Sequence, residues 1–133
     1  MNIVVTYITI FIILTLIDLG YLSLKPILNF HKHVFSTVQG SPLSIRIIPA
    51  ILVYVITAIG LTWIYVNVVE SQKVMVAGGL GLVAFGIYDL TNYATLSNYP
   101  LMMVIRDMLW GISSYSIVMY LSTILVPKVH RLL

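Results

Sequence analysis

The chain has 133 residues, of which 60% are hydrophobic and 8% are charged, and its mean hydropathy is +1.05. Because a soluble domain carries about 25% charged residues, this composition excludes an ordinary water-soluble fold and predicts a single integral membrane domain, residues 1–133. The net charge of +3 comes from basic residues near the predicted helix ends. This position indicates anchoring at the membrane interface and no nucleic-acid partner. The absence of cysteine excludes disulfides and thiolate chemistry.

Four segments are apolar over the roughly 20 residues that a membrane helix needs. The predicted spans cover approximately residues 3–22, 45–66, 74–96 and 101–126, and Pro127 is expected to end the last of them. The first segment contains Asp18 and has neither a basic leader nor a cleavage site, so we expect a retained helix and not a signal peptide. Four spans predict an all-α, multi-pass integral membrane four-helix bundle. Both termini then lie on one side of the membrane, here called side A, with side B opposite.

The connections between the spans add further expectations. Residues 27–35, "ILNFHKHVF", mix apolar and basic residues as an amphipathic helix on the membrane surface does. The connection "SNYP", residues 97–100, is so short that the third and fourth spans must be antiparallel neighbours. Basic side chains divide almost evenly between the two sides, which leaves the orientation open. They are Lys73, Lys128 and Arg131 on side A, and Lys25, Lys32, Arg46 and Arg106 on side B.

Three of the four acidic residues, Asp18, Asp89 and Asp107, lie inside predicted spans. Each costs roughly 2.5–3.5 kcal/mol at mid-helix on insertion scales. Counted along each helix at about 1.5 Å per residue, all three lie roughly 6–11 Å below the side B surface. Arg46 begins the second span on the same side, and Arg106 directly precedes Asp107 in the fourth. The four spans therefore predict one shared polar cluster in the side B leaflet.

Helical spacing predicts that this cluster faces inwards. Residues three or four apart share a helix face, and glycines on a membrane helix indicate close helix contact. In the third span, Gly78, Gly81, Phe85, Asp89 and Asn92 share one face. The matching faces hold Tyr7, Phe11, Asp18 and Tyr21 in the first span, Arg46, Ala50, Val53, Thr57 and Gly60 in the second, and Asp107, Trp110, Gly111 and Ser114 in the fourth. The candidate pocket residues are Asp18, Tyr21, Arg46, Tyr88, Asp89, Thr91, Asn92, Arg106, Asp107 and Trp110.

Two motifs carry a resemblance to a known family. "YDLTN-x-ATL", residues 88–96, ends the third span, and Pro100-Leu101 followed by "D-x-x-WG", residues 107–111, opens the fourth. Together with Asp18 in the first span, they make the chain resemble a family of small four-span membrane proteins of unknown function, found mainly in bacteria and also in some large DNA viruses. The resemblance implies the fold and no particular activity. The chain departs from the family at Tyr21, where Trp is frequent, and at Arg106, which replaces an uncharged residue and could neutralise Asp107.

Polar contacts between helices average about 0.6 kcal/mol in membrane proteins, well below the insertion cost of an aspartate, so packing alone explains the three aspartates poorly. We therefore favour a carboxylate-rich pocket that binds a cation, a proton or a polar head group, as in a small transporter or channel subunit. Because four helices make a thin bundle, a pore would require a homo-oligomer in the lipid bilayer. The alternatives are a scaffolding protein, such as a component of a membrane-containing particle, and a membrane-embedded lipid-modifying enzyme.

The enzyme is the less favoured of these classes, because the sequence has no evident pairing of a nucleophile with a base. We accordingly expect no catalytic residues and no cofactor. We also expect no metal, because His31 and His33 are two residues apart and do not share a helix face.

Overall fold

The computed structural model describes residues 1–132, which form five α-helices, one 3₁₀ turn and no strand. The α-helices are α1 (Ile3–Ser23), α2 (Lys25–Gln39), α3 (Ile47–Asn67), α4 (Lys73–Thr95) and α5 (Leu101–Leu132), and the 3₁₀ turn Glu70–Gln72 directly precedes α4. All of these except α2 contribute to four segments long and apolar enough to cross a membrane. The predicted all-α four-helix membrane bundle is confirmed.

The last helix differs from the expectation that it ends at Pro127. α5 continues through Pro127 to Leu132, a length of about 48 Å. Proline removes one backbone donor, but His130 stabilises the turn that follows. Its Nδ1 bonds the Val126 carbonyl oxygen at 2.8 Å, and its Nε2 accepts a hydrogen bond from the Asn2 amide at 3.1 Å. This second contact joins the two ends of the chain, so both termini lie on side A as predicted.

The interface between α4 and α5 is the most extensive in the bundle, and the two helices are antiparallel neighbours as predicted. Its closest point is the pair Gly81 and Gly111. A Cβ atom on Gly81 would overlap the carbonyl oxygen of Gly111, and a Cβ atom on Gly111 would lie 2.7 Å from the carbonyl oxygen of Gly81. Only glycine at both positions lets the two backbones approach this closely, as small residues do in membrane helix pairs.

The second span packs differently from its predicted inward face. Arg46 is exposed, and the Val53 side chain is 61% exposed. The fully buried residues of α3 lie between Ala58 and Tyr65, in the half of the helix nearer side A, where α3 packs mainly on α1. Towards side B a cleft of about 390 Å³ separates α3 from α4 and α5. Because α3 is apolar all round, its sequence has no periodic stripe that fixes its buried face.

The apolar core fills the half of the bundle nearer side A. It is formed by α1, α3 and α5 together with Ala77 of α4, and its centre holds the buried residues Ile10, Leu14, Leu61, Val118 and Met119. This core leaves the ionisable groups of the spans on the side B half.

The connection between α1 and α3 contains the expected amphipathic helix, α2. Its apolar face is directed at the protein itself: Val34 is buried against Tyr99 of the α4–α5 turn and against Met103 and Val104 of α5. The opposite face, with Lys25, Asn29, Lys32 and His33, is exposed. Because α2 connects the side B ends of α1 and α3, it covers the bundle at side B, above the predicted aspartate cluster.

Candidate functional site

The three aspartates lie at the side B end of the bundle, but hydrogen bonds divide them into two separate groups. In the first group, Asp18 of α1 accepts two hydrogen bonds. The Tyr54 hydroxyl of α3 donates to Oδ2 at 2.6 Å, and Trp110 Nε1–H of α5 donates to Oδ1 at 2.9 Å. The Trp110 ring stacks on Tyr21, with the ring centres 3.8 Å apart. Asp18 therefore joins three helices, and both of its oxygens are bonded.

The second group is centred on Asp89 of α4, whose side chain is completely buried. Its Oδ1 accepts a hydrogen bond from the Tyr99 hydroxyl at 2.5 Å, whereas its Oδ2 has no hydrogen-bond partner among residues 1–132. Tyr99 lies in the turn between α4 and α5 and is itself buried. A buried oxygen without a partner is costly, so Oδ2 is the least satisfied polar atom of the two groups.

Asp107 of α5 belongs to the second group and is 8% exposed. Gly81 and Gly111 align the two helices. Asp89 lies eight residues beyond Gly81 towards side B and Asp107 four residues before Gly111, so the two carboxyl groups differ in depth by only about 6 Å. They are close enough to interact electrostatically. The glycine contact between α4 and α5 thus brings two carboxyl groups to similar depths on neighbouring helices.

His31 of α2 completes the second group. Its Nε2 lies 3.6 Å from Asp107 Oδ1, and its Nδ1 bonds the Ile27 carbonyl oxygen at 2.9 Å. Because Nδ1–H faces the Ile27 carbonyl, the link from Nε2 to Asp107 needs one further proton, either on the ring or on the carboxyl group. The Asp107 carboxyl group, 3.6 Å away, raises the pKa of His31 above its ordinary value, although burial and the nearby Arg106 act in the opposite direction. His31 and Asp107 thus form a partly exposed titratable pair at the side B end of the bundle.

A family model covers both groups. The model described as "Predicted membrane protein (DUF2177)" matches residues 3–124, which include α1 to α4 and most of α5. The chain belongs to this family. No curated protein and no solved structure matches it. The expected resemblance to a small four-span family of unknown function is thereby confirmed, and this DUF2177 protein is a multi-pass integral membrane protein.

The two arginines that were expected in the polar cluster, Arg46 and Arg106, do not form hydrogen bonds or ion pairs with the aspartates. Arg46 is the exposed N-cap residue of α3, and the Arg106 guanidinium lies 4.3 Å from the centre of the Phe30 ring of α2. Within residues 1–132 the ion pairs are His31–Asp107 and Lys73–Glu70. Arg106 therefore does not pair with Asp107 in this structure. The basic side chain beside Asp107 is that of His31.

The remaining candidates lie at the margins of the second group. Asn92 is near the hydroxyl groups of Tyr88 and Tyr99. Tyr88 is more than half exposed and lines the cleft between α3 and α4. Thr91 is exposed, and its carbonyl oxygen accepts a hydrogen bond from the Thr95 hydroxyl. The second group therefore extends to Asn92, whereas Thr91 points away from it.

Three residues of these groups were not among the sequence candidates: Tyr54, Tyr99 and His31. A signal existed for His31, because it shares the apolar face of α2 with Ile27 and Val34, three or four residues away. A histidine on the buried face of an amphipathic helix needs a polar partner. No comparable periodic signal identifies Tyr54 or Tyr99, which reach their aspartates only through the folding of the chain.

Proposed function

We propose that this integral membrane protein binds a proton or a small cation at the Asp89–Asp107 pair and works as a small transporter or channel subunit. One observation carries the proposal: Asp89 Oδ2 is buried without a hydrogen-bond partner in the described chain, beside a second carboxyl group. Such an atom is satisfied when a proton or a cation binds to it. Ionisable residues inside membrane spans commonly mark ion or proton pathways.

The dimensions of the site favour a proton over a head group. Five clefts between the helices or beside α2, with volumes of about 260–680 Å³, are lined by residues other than Asp89 and Asp107. The side chains around Asp89 are instead in direct contact, as the 2.5 Å hydrogen bond from Tyr99 illustrates. A proton fits this packing because it occupies almost no volume, whereas a lipid head group would require the helices to separate.

The route to Asp89 starts at side B. The side chains of His31 and Asp107 are 13% and 11% exposed, so both contact the outside, whereas Asp89 is completely buried. A proton taken up by His31 can pass to Asp107 and then to Asp89. Towards side A the route meets the apolar core around Leu61, Val118 and Met119. Passage across the whole membrane would therefore use a second surface, which is consistent with the proposed homo-oligomer.

The test is proton flux in proteoliposomes that contain the purified protein, with Asp89→Asn compared with wild type. Asn retains an acceptor for Tyr99 but cannot exchange a proton, so we expect flux to fall to the level of protein-free liposomes. Asp18→Asn is the matched control, because it makes the same chemical change at a similar depth outside the proposed site and should leave flux close to wild type. Wild-type flux in Asp89→Asn would overturn the proposal, and equal loss in both variants would favour the scaffolding alternative.

A further inference from the structure

The exposed charge at side B is of one sign. Lys25, Lys32 and Arg46 are exposed there, whereas the three aspartates of that end are directed towards internal partners or buried. The fourth acidic residue, Glu70, lies at the opposite end of the bundle and forms an ion pair with Lys73 at 2.6 Å. The outer surface of side B in the described chain is therefore basic, which matches the charge of anionic lipid head groups.

One cleft lies within this basic surface, between α2 and the loop that follows it. It has a volume of about 680 Å³ and is lined by Lys32, His33 and Ser36 of α2 and by residues 40–43. Its wall on the helix side carries the basic groups, and its wall on the loop side carries the apolar Pro42 and Leu43. A basic wall opposite an apolar wall is complementary to the part of a phospholipid where the anionic phosphate meets the apolar acyl chains.

The loop wall has a defined structure. α2 ends because Gly40 adopts a left-handed conformation with φ 69°, and the Gly40 amide donates to the Ser36 carbonyl oxygen. The Gln39 side-chain amide then donates to the carbonyl oxygens of Ser41 at 2.9 Å and Pro42 at 2.7 Å. These two bonds occupy carbonyl oxygens that would otherwise repel an anion in the cleft.

The depth of the cleft follows from its position in the chain. α2 and the loop connect the side B ends of α1 and α3, and Leu43 lies only four residues before the first residue of α3. Four extended residues reach at most about 14 Å, so the cleft lies at the level of the lipid head groups. The apolar face of α2 is already buried on Tyr99 and Met103, which leaves its basic face available to those head groups.

We propose that this cleft binds the head group of an anionic phospholipid of the side B leaflet. Lys32 and His33 contact the phosphate, and Pro42 and Leu43 contact the beginning of the acyl chains. Both basic residues lie more than a turn before the C-terminal end of α2, outside the last turn in which the negative end of the helix dipole acts. This site is separate from the Asp89–Asp107 pair and does not depend on its function.

The experiment measures lipid binding to the full-length protein in detergent, by native mass spectrometry and by the midpoint of thermal unfolding. Phosphatidylglycerol is the anionic probe and phosphatidylcholine is the zwitterionic comparison. We expect phosphatidylglycerol to bind and to raise the unfolding midpoint, and Lys32→Gln to weaken its binding about fivefold. Lys32→Arg, which keeps the charge, should retain most of the affinity.

Lys25→Gln is the matched control, because Lys25 is exposed on the same face of α2 but does not line the cleft. It should weaken binding less than about twofold, because an exposed charge that does not contact the lipid contributes little. Equal losses in Lys25→Gln and Lys32→Gln, or equal binding of the two lipids, would overturn the site. Inorganic phosphate that displaces phosphatidylglycerol at equal concentration would overturn the assignment to a lipid and indicate a soluble anion instead. Unchanged lipid binding in Asp89→Asn would show that this site and the proposed proton site are independent.

Discussion

The side B half of the bundle contains two aspartates in contrasting environments. Asp18 is half-buried, and each of its oxygens accepts a hydrogen bond from a different helix. Asp89 is completely buried, one of its oxygens bonds Tyr99, and the other has no partner in the described chain. The two residues have the same chemistry and a similar depth, so their difference reflects the partners that the fold supplies.

The two aspartates differ in how far their hydrogen bonds offset the free-energy cost of placing a carboxylate in the membrane. Two hydrogen bonds between membrane helices contribute about 1–3 kcal/mol together, which is comparable with the roughly 2.5–3.5 kcal/mol needed to insert an aspartate. Asp18 is thus explained by packing. The single bond of Asp89 cannot offset the same cost, and the adjacent Asp107 increases it when both groups are ionised. Aspartates at a similar depth in one leaflet can therefore differ in whether the fold supplies hydrogen bonds to both carboxylate oxygens.

The largest predicted effect concerns the glycine contact that positions the Asp89 site. Gly81→Ala would place a methyl group on the Gly111 carbonyl, so α4 and α5 must separate. We expect a loss of about 3 kcal/mol in the free energy of unfolding, as for other overpacked contacts, and a loss of proton flux. Gly79→Ala is the control, because a Cβ atom there has nothing within 4 Å. Reversible unfolding in mixed micelles measures both variants, and equal stability would contradict the close-contact interpretation.

The second prediction compares the two aspartates directly. Asp18→Ala leaves Trp110 and Tyr54 without their acceptor, so we expect a loss of about 2 kcal/mol in the free energy of unfolding. Asp89→Asn keeps the bond from Tyr99 and removes a buried acid, so its stability should stay within about 0.5 kcal/mol of wild type. Equilibrium unfolding of both variants gives the comparison. A greater loss in Asp89→Asn would make Asp89 the structural residue and reverse the assignment.

The sequence predicted those parts of the molecule that depend on one helix at a time. The burial of Asp89 followed from its spacing to Gly78 and Gly81, and that of Asp107 from its spacing to Gly111. The spans were located to within two residues at most ends, because apolar length is a property of a single segment. The exception is Pro127, which lies within α5, and the turn beyond it contains His130, which contacts Asn2, 128 residues away in the sequence.

The partners of the aspartates could not be predicted in the same way. Trp110 was a candidate from its helix face, but its bond to Asp18 spans 92 residues, and that of Tyr54 spans 36. Such bonds depend on how α1, α3 and α5 pack, and the uniformly apolar α3 carries no stripe that specifies this. The three aspartates, which were expected in a single cluster, consequently lie in two groups. Only the second group contains a buried carboxylate oxygen without a partner in the described chain, Asp89 Oδ2.

A smaller effect is predicted for Tyr99, the one residue among residues 1–132 whose side chain donates a hydrogen bond to Asp89. Burial and the bond to Asp89 raise the pKa of the Tyr99 hydroxyl above its ordinary value, so it remains a donor at physiological pH. Tyr99→Phe should therefore reduce the free energy of unfolding by about 1 kcal/mol. The exposed Tyr93 provides the control variant Tyr93→Phe. A double-mutant cycle with Asp89→Asn isolates the pair, and a coupling energy near zero would show that the bond contributes nothing.

The smallest effect concerns the entrance to the second site and depends on pH. The pKa of His31 is raised in the folded protein, chiefly by the Asp107 carboxyl group 3.6 Å away, with Asp89 and Arg106 as the other charged groups nearby. A raised pKa means that protonated His31 stabilises the fold at pH values below the ordinary histidine pKa of about 6.5. This contribution disappears as the pH rises through the raised pKa.

His31→Gln should therefore destabilise the protein at pH 5 and have little effect at pH 9, with a difference below about 1 kcal/mol, as for a partly exposed ion pair. His33→Gln is the control, because His33 is exposed on the outer face of α2 and should behave alike at both pH values. Thermal unfolding of the three proteins at the two pH values provides the measurement. A His31→Gln effect that is equal at pH 5 and pH 9 would mean that His31 acts by packing alone. The route for a proton from side B would then have to begin at Asp107 itself.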